Sequence, residues 1–173
     1  MTHNETLHVS EQFTALLPDV VHNYLDILKL PKKTKVLLIT DAYDSSDRDI
    51  LSRRALIQAL SKPIRSLGHS VIFLEFDVTT PANEMVQQVQ DRLATLNKWN
   101  KEKYPTTIIY AGADWENKQA IFDVIKEFSS RSNGVWLANS SGVTHDEIMA
   151  MSKTMPGIME FIQDRTETEA TEE

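Results

Sequence analysis

The sequence predicts a three-layer α/β domain, Rossmann-like or flavodoxin-like, with a mostly parallel sheet of about four to five strands. Short apolar runs alternate with helix-period stretches through the whole body of the chain, and no repeat or linker divides it. The apolar runs are continuous, as expected of strands covered on both faces, and strand–helix alternation favours parallel pairing. At 173 residues one domain can bury about 70% of the surface that the unfolded chain exposes. The expected organisation is a polar leader over 1–17, one domain over 18–163 and an acidic, disordered tail over 164–173.

The first helix is expected from Pro18, whose missing N–H is harmless at a first helical position. Val20, Val21, Tyr24, Leu25, Ile27 and Leu28 follow helical spacing, and Pro31 closes the helix. Residues 35–40 (KVLLIT) form the first strand. Ile50, Ile57, Leu60, Ile64 and Leu67 mark one face of a second helix, capped by Ser46 or Asp47 and ended by Gly68, with a kink or tightened turn at Pro63. Residues 70–76 (SVIFLEF) are the next strand. Thr80 and Pro81 open a third helix with the stripe Val86, Val89, Leu93 and Leu96. Residues 106–110 (TTIIY) follow as a strand. Asp114 is expected to cap a fourth helix that buries Trp115, Ile121, Phe122, Ile125 and Phe128. Residues 135–138 (VWLA) are the last strand of this series, and a short helix starts at Thr144.

Composition excludes several classes of function. The chain has no cysteine, so disulfides, thiolate catalysis and thiolate metal sites are ruled out. Its apolar fraction of 41% and charged fraction of 25% are ordinary for a globular protein. A net charge of -7 argues against a nucleic-acid surface. The apolar runs are too short to cross a membrane, and residues 1–10 lack the pattern of a signal peptide, so a cytoplasmic location is expected. Five acids and one base share residues 164–173, which read as a solvated tail or a docking and regulatory one.

Ligands of open parallel sheets bind beyond the carboxyl ends of the strands. That rule selects Asp41 and Asp44 after the first strand, Asp114 after the third, and Asn139, Ser140, Ser141 and Thr144 after the fourth. No glycine-rich phosphate loop is present, so a tightly held dinucleotide or nucleoside triphosphate is not expected. The four aspartates after the first strand, Asp41, Asp44, Asp47 and Asp49, could hold a divalent cation, the only cofactor the sequence suggests. The competing reading is that Ser46 or Asp47 caps the second helix and the nearby acids complement its positive end. The Asn139-Ser140-Ser141-Gly142 segment offers an anion site before a helix N-terminus. His145 is the candidate catalytic residue, kept neutral by that terminus. Its structural alternative is the Thr144-His145-Asp146-Glu147 capping box. The histidines share no metal-binding spacing. Met149, Met151, Met155 and Met159, with Phe161, form either a packed sheet edge or a surface for a protein partner or a second copy.

Residues 67–75 (LGHSVIFLE), Thr144-His145 and Met155-Pro156-Gly157 resemble the N-terminal α/β domain of the aminopeptidase T-like metalloaminopeptidases. In that family an extra strand separates the Thr-His and Met-Pro-Gly elements, whereas nine residues lie between them here. The family's metal ligands lie in a later domain, so the resemblance implies a half that is not catalytic by itself. Residues 67–71 (LGHSV) are also similar to a turn in the N-terminal half of two-domain glycosyltransferases. The expected function is therefore a binding or interaction domain that engages a small ligand or a protein partner. The alternative is a hydrolase or transferase that uses the acidic strand-end cleft with His145 and a divalent cation.

Overall fold

A computed structural model describes residues 10–41, 47–76, 79–99, 105–112, 118–129, 135–140, 142–153 and 160–164. The elements in chain order are α1 (Glu11–Leu28), β1 (Lys35–Asp41), α2 (Arg48–Ser66), β2 (Ser70–Phe76), α3 (Ala82–Trp99), β3 (Thr106–Ala111), α4 (Lys118–Ser129), β4 (Val135–Asn139), α5 (His145–Ala150) and β5 (Glu160–Asp164). They form one sheet in the order β2-β1-β3-β4-β5. The first four strands are parallel and β5 runs antiparallel on the edge beside β4. The three-layer α/β class read from the sequence is the class observed.

Successive strand residues point to opposite faces, and the central strands bury both. On one side Val36 and Leu38 of β1 and Ile109 and Ala111 of β3 meet α1, α2 and α5. On the other, Leu37, Ile39, Ile108 and Tyr110 meet α3 and α4. Threonines within this interior are hydrogen-bonded. Thr34 bonds Thr107 Oγ1 and the Pro105 carbonyl, both at 2.8 Å, and Thr40 donates to the Ala111 carbonyl at 2.7 Å. Without those partners each buried hydroxyl would cost about 1–3 kcal/mol.

Helix ends follow their sequence signals, except that α3 starts at Ala82, so that Pro81 rather than Thr80 precedes its first residue, and that α1 starts early. Asp47 caps α2, accepting from the N–H groups of Asp49 and Ile50. The end of α2 is a Schellman turn. The His69 N–H bonds Ile64 O, the Gly68 N–H bonds Arg65 O, and Gly68 has φ +97°. Pro63 stays inside α2. The first α3 bond is accepted by the Pro81 carbonyl. Helix α1, however, begins at Glu11 rather than Pro18, so residues 11–17 of the expected leader are helical. Ser10 caps it by accepting from the Phe13 N–H, and Phe13 is fully buried. A cap worth about 1 kcal/mol and a buried phenyl worth about 2–3 kcal/mol offset the roughly 3 kcal/mol cost of Pro18 in the interior. Asp164, placed in the tail by the sequence reading, is the last residue of β5; residues 165–173 lie outside the described set, as do Ser46, Asp114 and Trp115. No helix among the described residues is long and apolar enough to cross a membrane.

A Cβ added at Gly68 would meet no atom within 4 Å. Gly68→Ala therefore tests backbone conformation alone, and it is expected to lower unfolding stability by about 1–2 kcal/mol in urea titration. An unchanged midpoint would contradict the left-handed turn.

Candidate functional site

Because α1 runs into β1 and α2 runs out of it, the start of both helices lies at the carboxyl edge of the sheet. The start of α5, after β4, lies there too. The cluster these three helix starts build is centred on His145, which is 2% exposed. Thr144 caps α5 with a complete capping box: its hydroxyl accepts from the Glu147 N–H at 3.2 Å, and the Glu147 carboxylate accepts from the Thr144 N–H at 2.9 Å. That box fixes the His145 backbone, whose N–H donates to Asp49 Oδ1 at 2.7 Å. Its Nδ1 and Ser52 Oγ are hydrogen-bonded at 2.6 Å. Phe13 stacks obliquely on the imidazole with ring centroids 5.0 Å apart. Beside it the buried Arg53 donates from Nη1 to the Val143 carbonyl. The cluster thus ties α1, α2 and α5 together.

No hydrogen-bond partner among the described residues meets His145 Nε2. Burial is the main reason that the imidazole pKa is lowered from its ordinary value; the Arg48 charge adds to this, and Asp146 and Asp49 oppose it. The shift favours the neutral ring, with desolvation rather than the helix N-terminus as the leading cause. Chemically, a Ser–His pair at 2.6 Å has the distance of a nucleophile and its base. Ser52 is fully buried, though, and Phe13 covers the ring. In this arrangement the pair couples helices.

The other residues selected from the sequence divide as follows. Asn139 ends β4 in register with Tyr110 and Glu160 and is half-buried. Ser140 is buried, and both its N–H and its hydroxyl donate to the Tyr110 carbonyl, at 2.8 and 3.1 Å. The Gly142 N–H donates to Gly112 O. These N–H groups close the β4–α5 turn onto β3 instead of facing an anion. Ser140 also eases ionisation of the Tyr24 hydroxyl, although burial dominates and drives that pKa upward. Asp41 contributes the last backbone position of β1, while Asp44, Asp114 and Ser141 lie outside the described residues. Among the described residues no group of three or more His, Asp or Glu converges as cation ligands.

The methionine cluster is described only in part. Met151 is fully buried and Met149 is half-buried against the same core. The Met151 carbonyl accepts from Asn23 of α1 at 2.8 Å. These two methionines close the α1–α5 interior, so the packed alternative holds for them, against helices instead of the sheet edge. Met155 and Met159 lie outside the described residues, and Phe161 contributes the backbone of β5.

Sequence reasoning missed Ser52, Arg53 and Phe13, and took Asp49 only as one of the acids after the first strand. A signal for three of them existed, because the stripe Ile64, Leu60, Ile57 continues backward by helical steps to Arg53, Ser52 and Asp49. Polar residues on a buried stripe require partners.

An open apolar feature lies elsewhere. A groove of about 980 Å³ runs between α1 and α2, lined by Thr14, Leu17, Pro18, Val21 and Leu25 on one side and Ala59, Lys62, Pro63 and Leu67 on the other. Leu67 is 64% exposed. At its amino-edge end the groove adjoins a hollow of about 530 Å³ that shares Leu25 and Leu67 and carries Lys29, Lys32 and Lys33. Compared with family models, curated proteins and solved structures, the chain finds no match in any of the three.

Acid is expected to destabilise the cluster. A histidine with a lowered folded pKa binds fewer protons folded than unfolded, so stability falls as the pH drops below about 6.5 and through the lower folded value. Half-buried His69 shifts in the same direction. Urea unfolding of His145→Asn beside the unaltered chain, from pH 8 to pH 5, isolates the His145 part. The variant should lose less stability over that range, and equal losses would contradict a neutral buried ring. Thr144→Ala should cost about 1 kcal/mol at neutral pH through loss of the cap.

Proposed function

We propose that this chain is an interaction domain, catalytically incomplete by itself, that holds an amphipathic helix of a protein partner in the groove between α1 and α2. The groove itself carries the reading. Thr14, Pro18, Val21 and Leu25 are spaced i, i+4, i+7 and i+11 along α1, and Ala59, Pro63 and Leu67 are spaced i, i+4 and i+8 along α2. Two such rows make a seat for the apolar ridge of a third helix. The distance from Thr14 to Leu25 is about 17 Å, or three turns. The lysines at one end complement a partner helix with acidic residues at its matching end. Proline supplies no N–H, so the Thr14 and Ala59 carbonyls lack their i+4 donors, and both residues line the groove.

Acid–base chemistry at the carboxyl edge has less support. The described groups there are bonded to one another, and the His145 imidazole lies under Phe13. The resemblance to the aminopeptidase T-like N-terminal domain fits the same reading, since it implies no catalytic group in this part. Thr144-His145 follows β4, and residues 67–75 run from the turn after α2 into β2.

A displayed library of helical peptides, selected on the full chain, tests this. Enriched peptides should share apolar residues at i, i+3 or i+4, and i+7, with acids at one end. Leu67→Glu should weaken them by about tenfold or more while leaving the thermal midpoint within a degree or two, because Leu67 is largely exposed. Enrichment without an apolar ridge, or binding indifferent to Leu67→Glu, would refute the groove as the docking face.

A further inference from the structure

The basic hollow beside the groove has a candidate occupant within the chain. Lys29, Lys32 and Lys33 line it with Gly68 and His69, around the connection from α1 into β1. That connection lies at the amino edge of the sheet. β5 is antiparallel, so the chain leaves Asp164 at this same edge. The register makes the placement definite: Lys35, Thr106, Val135 and Asp164 stand in one row across β1, β3, β4 and β5. Three strand spacings separate the ends of that row, about 14 Å. Residues 165–173 carry Glu167, Glu169, Glu172 and Glu173 against Arg165. Nine residues can extend about 30 Å and five about 17 Å, which is enough to bring Glu169, Glu172 and Glu173 across the sheet to the lysines.

We infer that residues 165–173 dock intramolecularly on the Lys29–Lys32–Lys33 hollow. A separate acidic partner approaches a chain of net charge -7, whereas the tail is already held at the edge it must reach. Each exposed pair contributes at most about 1 kcal/mol. A short tether supplies an effective concentration in the millimolar range, so a few such pairs suffice. The tail has no large apolar side chain, so it occupies the charged hollow and leaves the apolar seat open. A partner helix with an acidic end would compete with it there. The inference rests on the lysines and the sheet register, and it holds or fails separately from the groove reading.

The absence of cysteine lets one nitroxide label report on the tail. In Thr171→Cys carrying that label, paramagnetic broadening of the Lys29, Lys33, Gly68 and His69 amides is the readout, and the Gly142 amide on the opposite edge is the control. At low salt the amino-edge amides should broaden strongly. About 0.5 M salt should reduce the effect by roughly threefold or more, as should Lys29→Gln/Lys32→Gln/Lys33→Gln. Thr14→Glu, on the exposed groove wall away from the hollow, should leave the broadening present even where it weakens peptide binding. Broadening that is absent, equal at both edges, or indifferent to salt and to the lysine substitutions would overturn the docking.

Discussion

Burial of β1 and β3 on both faces is the constraint from which the rest of the structure follows. A strand with one wet face can alternate polar and apolar residues, but these two cannot. Leu37 and Leu38 point in opposite directions and neither has any exposure. Two helix layers are then obligatory, α1, α2 and α5 on one side and α3 and α4 on the other. Parallel pairing follows, since each strand returns through a helix lying on the sheet. Parallel strands also send all strand-to-helix connections to one edge and all helix-to-strand connections to the other. The histidine cluster at one edge and the lysine hollow at the other are both consequences.

At the carboxyl edge, burial creates a second requirement. Three helix starts bring polar groups into a space closed by Phe13, and groups removed from water must find one another. Asp49 takes the His145 N–H, Ser52 takes the ring, and the Tyr110 carbonyl takes Ser140. Among the described residues, His145 Nε2 meets no hydrogen-bond partner. A site that must admit a substrate needs groups turned outward. The described members of this cluster turn inward, which is why its geometry resembles a nucleophile–base pair while its packing resembles a joint between helices.

The fold was legible because its signals are local and repeated: strand-sized apolar runs, helical stripes, Asp47 and Thr144 as caps, and Gly68 as a stop. The cluster was legible only where a local motif marked it. Thr144-His145-Asp146-Glu147 announced a helix start, but nothing in the sequence distance between Ser52 and His145 announces their contact. Strand order brings them together, and strand order is a long-range property. Phe13 was hidden for a different reason: it precedes a proline that reads as a beginning. For Met149 and Met151 the sequence left packing and surface both open, because methionine serves equally as core filler and as contact surface.

Pro18 links the misread helix start to the proposed docking face. A proline seven residues into a helix survives only where other interactions hold the first turns, and Ser10 and Phe13 supply them. Pro63 sits in the same situation in α2, held by the buried side chains of Leu60 and Ile64 and by the Schellman turn. Both prolines line the groove. Each helix therefore tolerates an interruption on the side where it meets no third layer, and the two interruptions face a common space. Close packing along a buried interface would make such breaks costly at every turn. Their position on an open face is where the fold can bear them, and it leaves two carbonyls without helical donors beside the exposed Leu67. The groove follows from where α1 and α2 lack a covering layer, and its chemistry follows from the prolines found there.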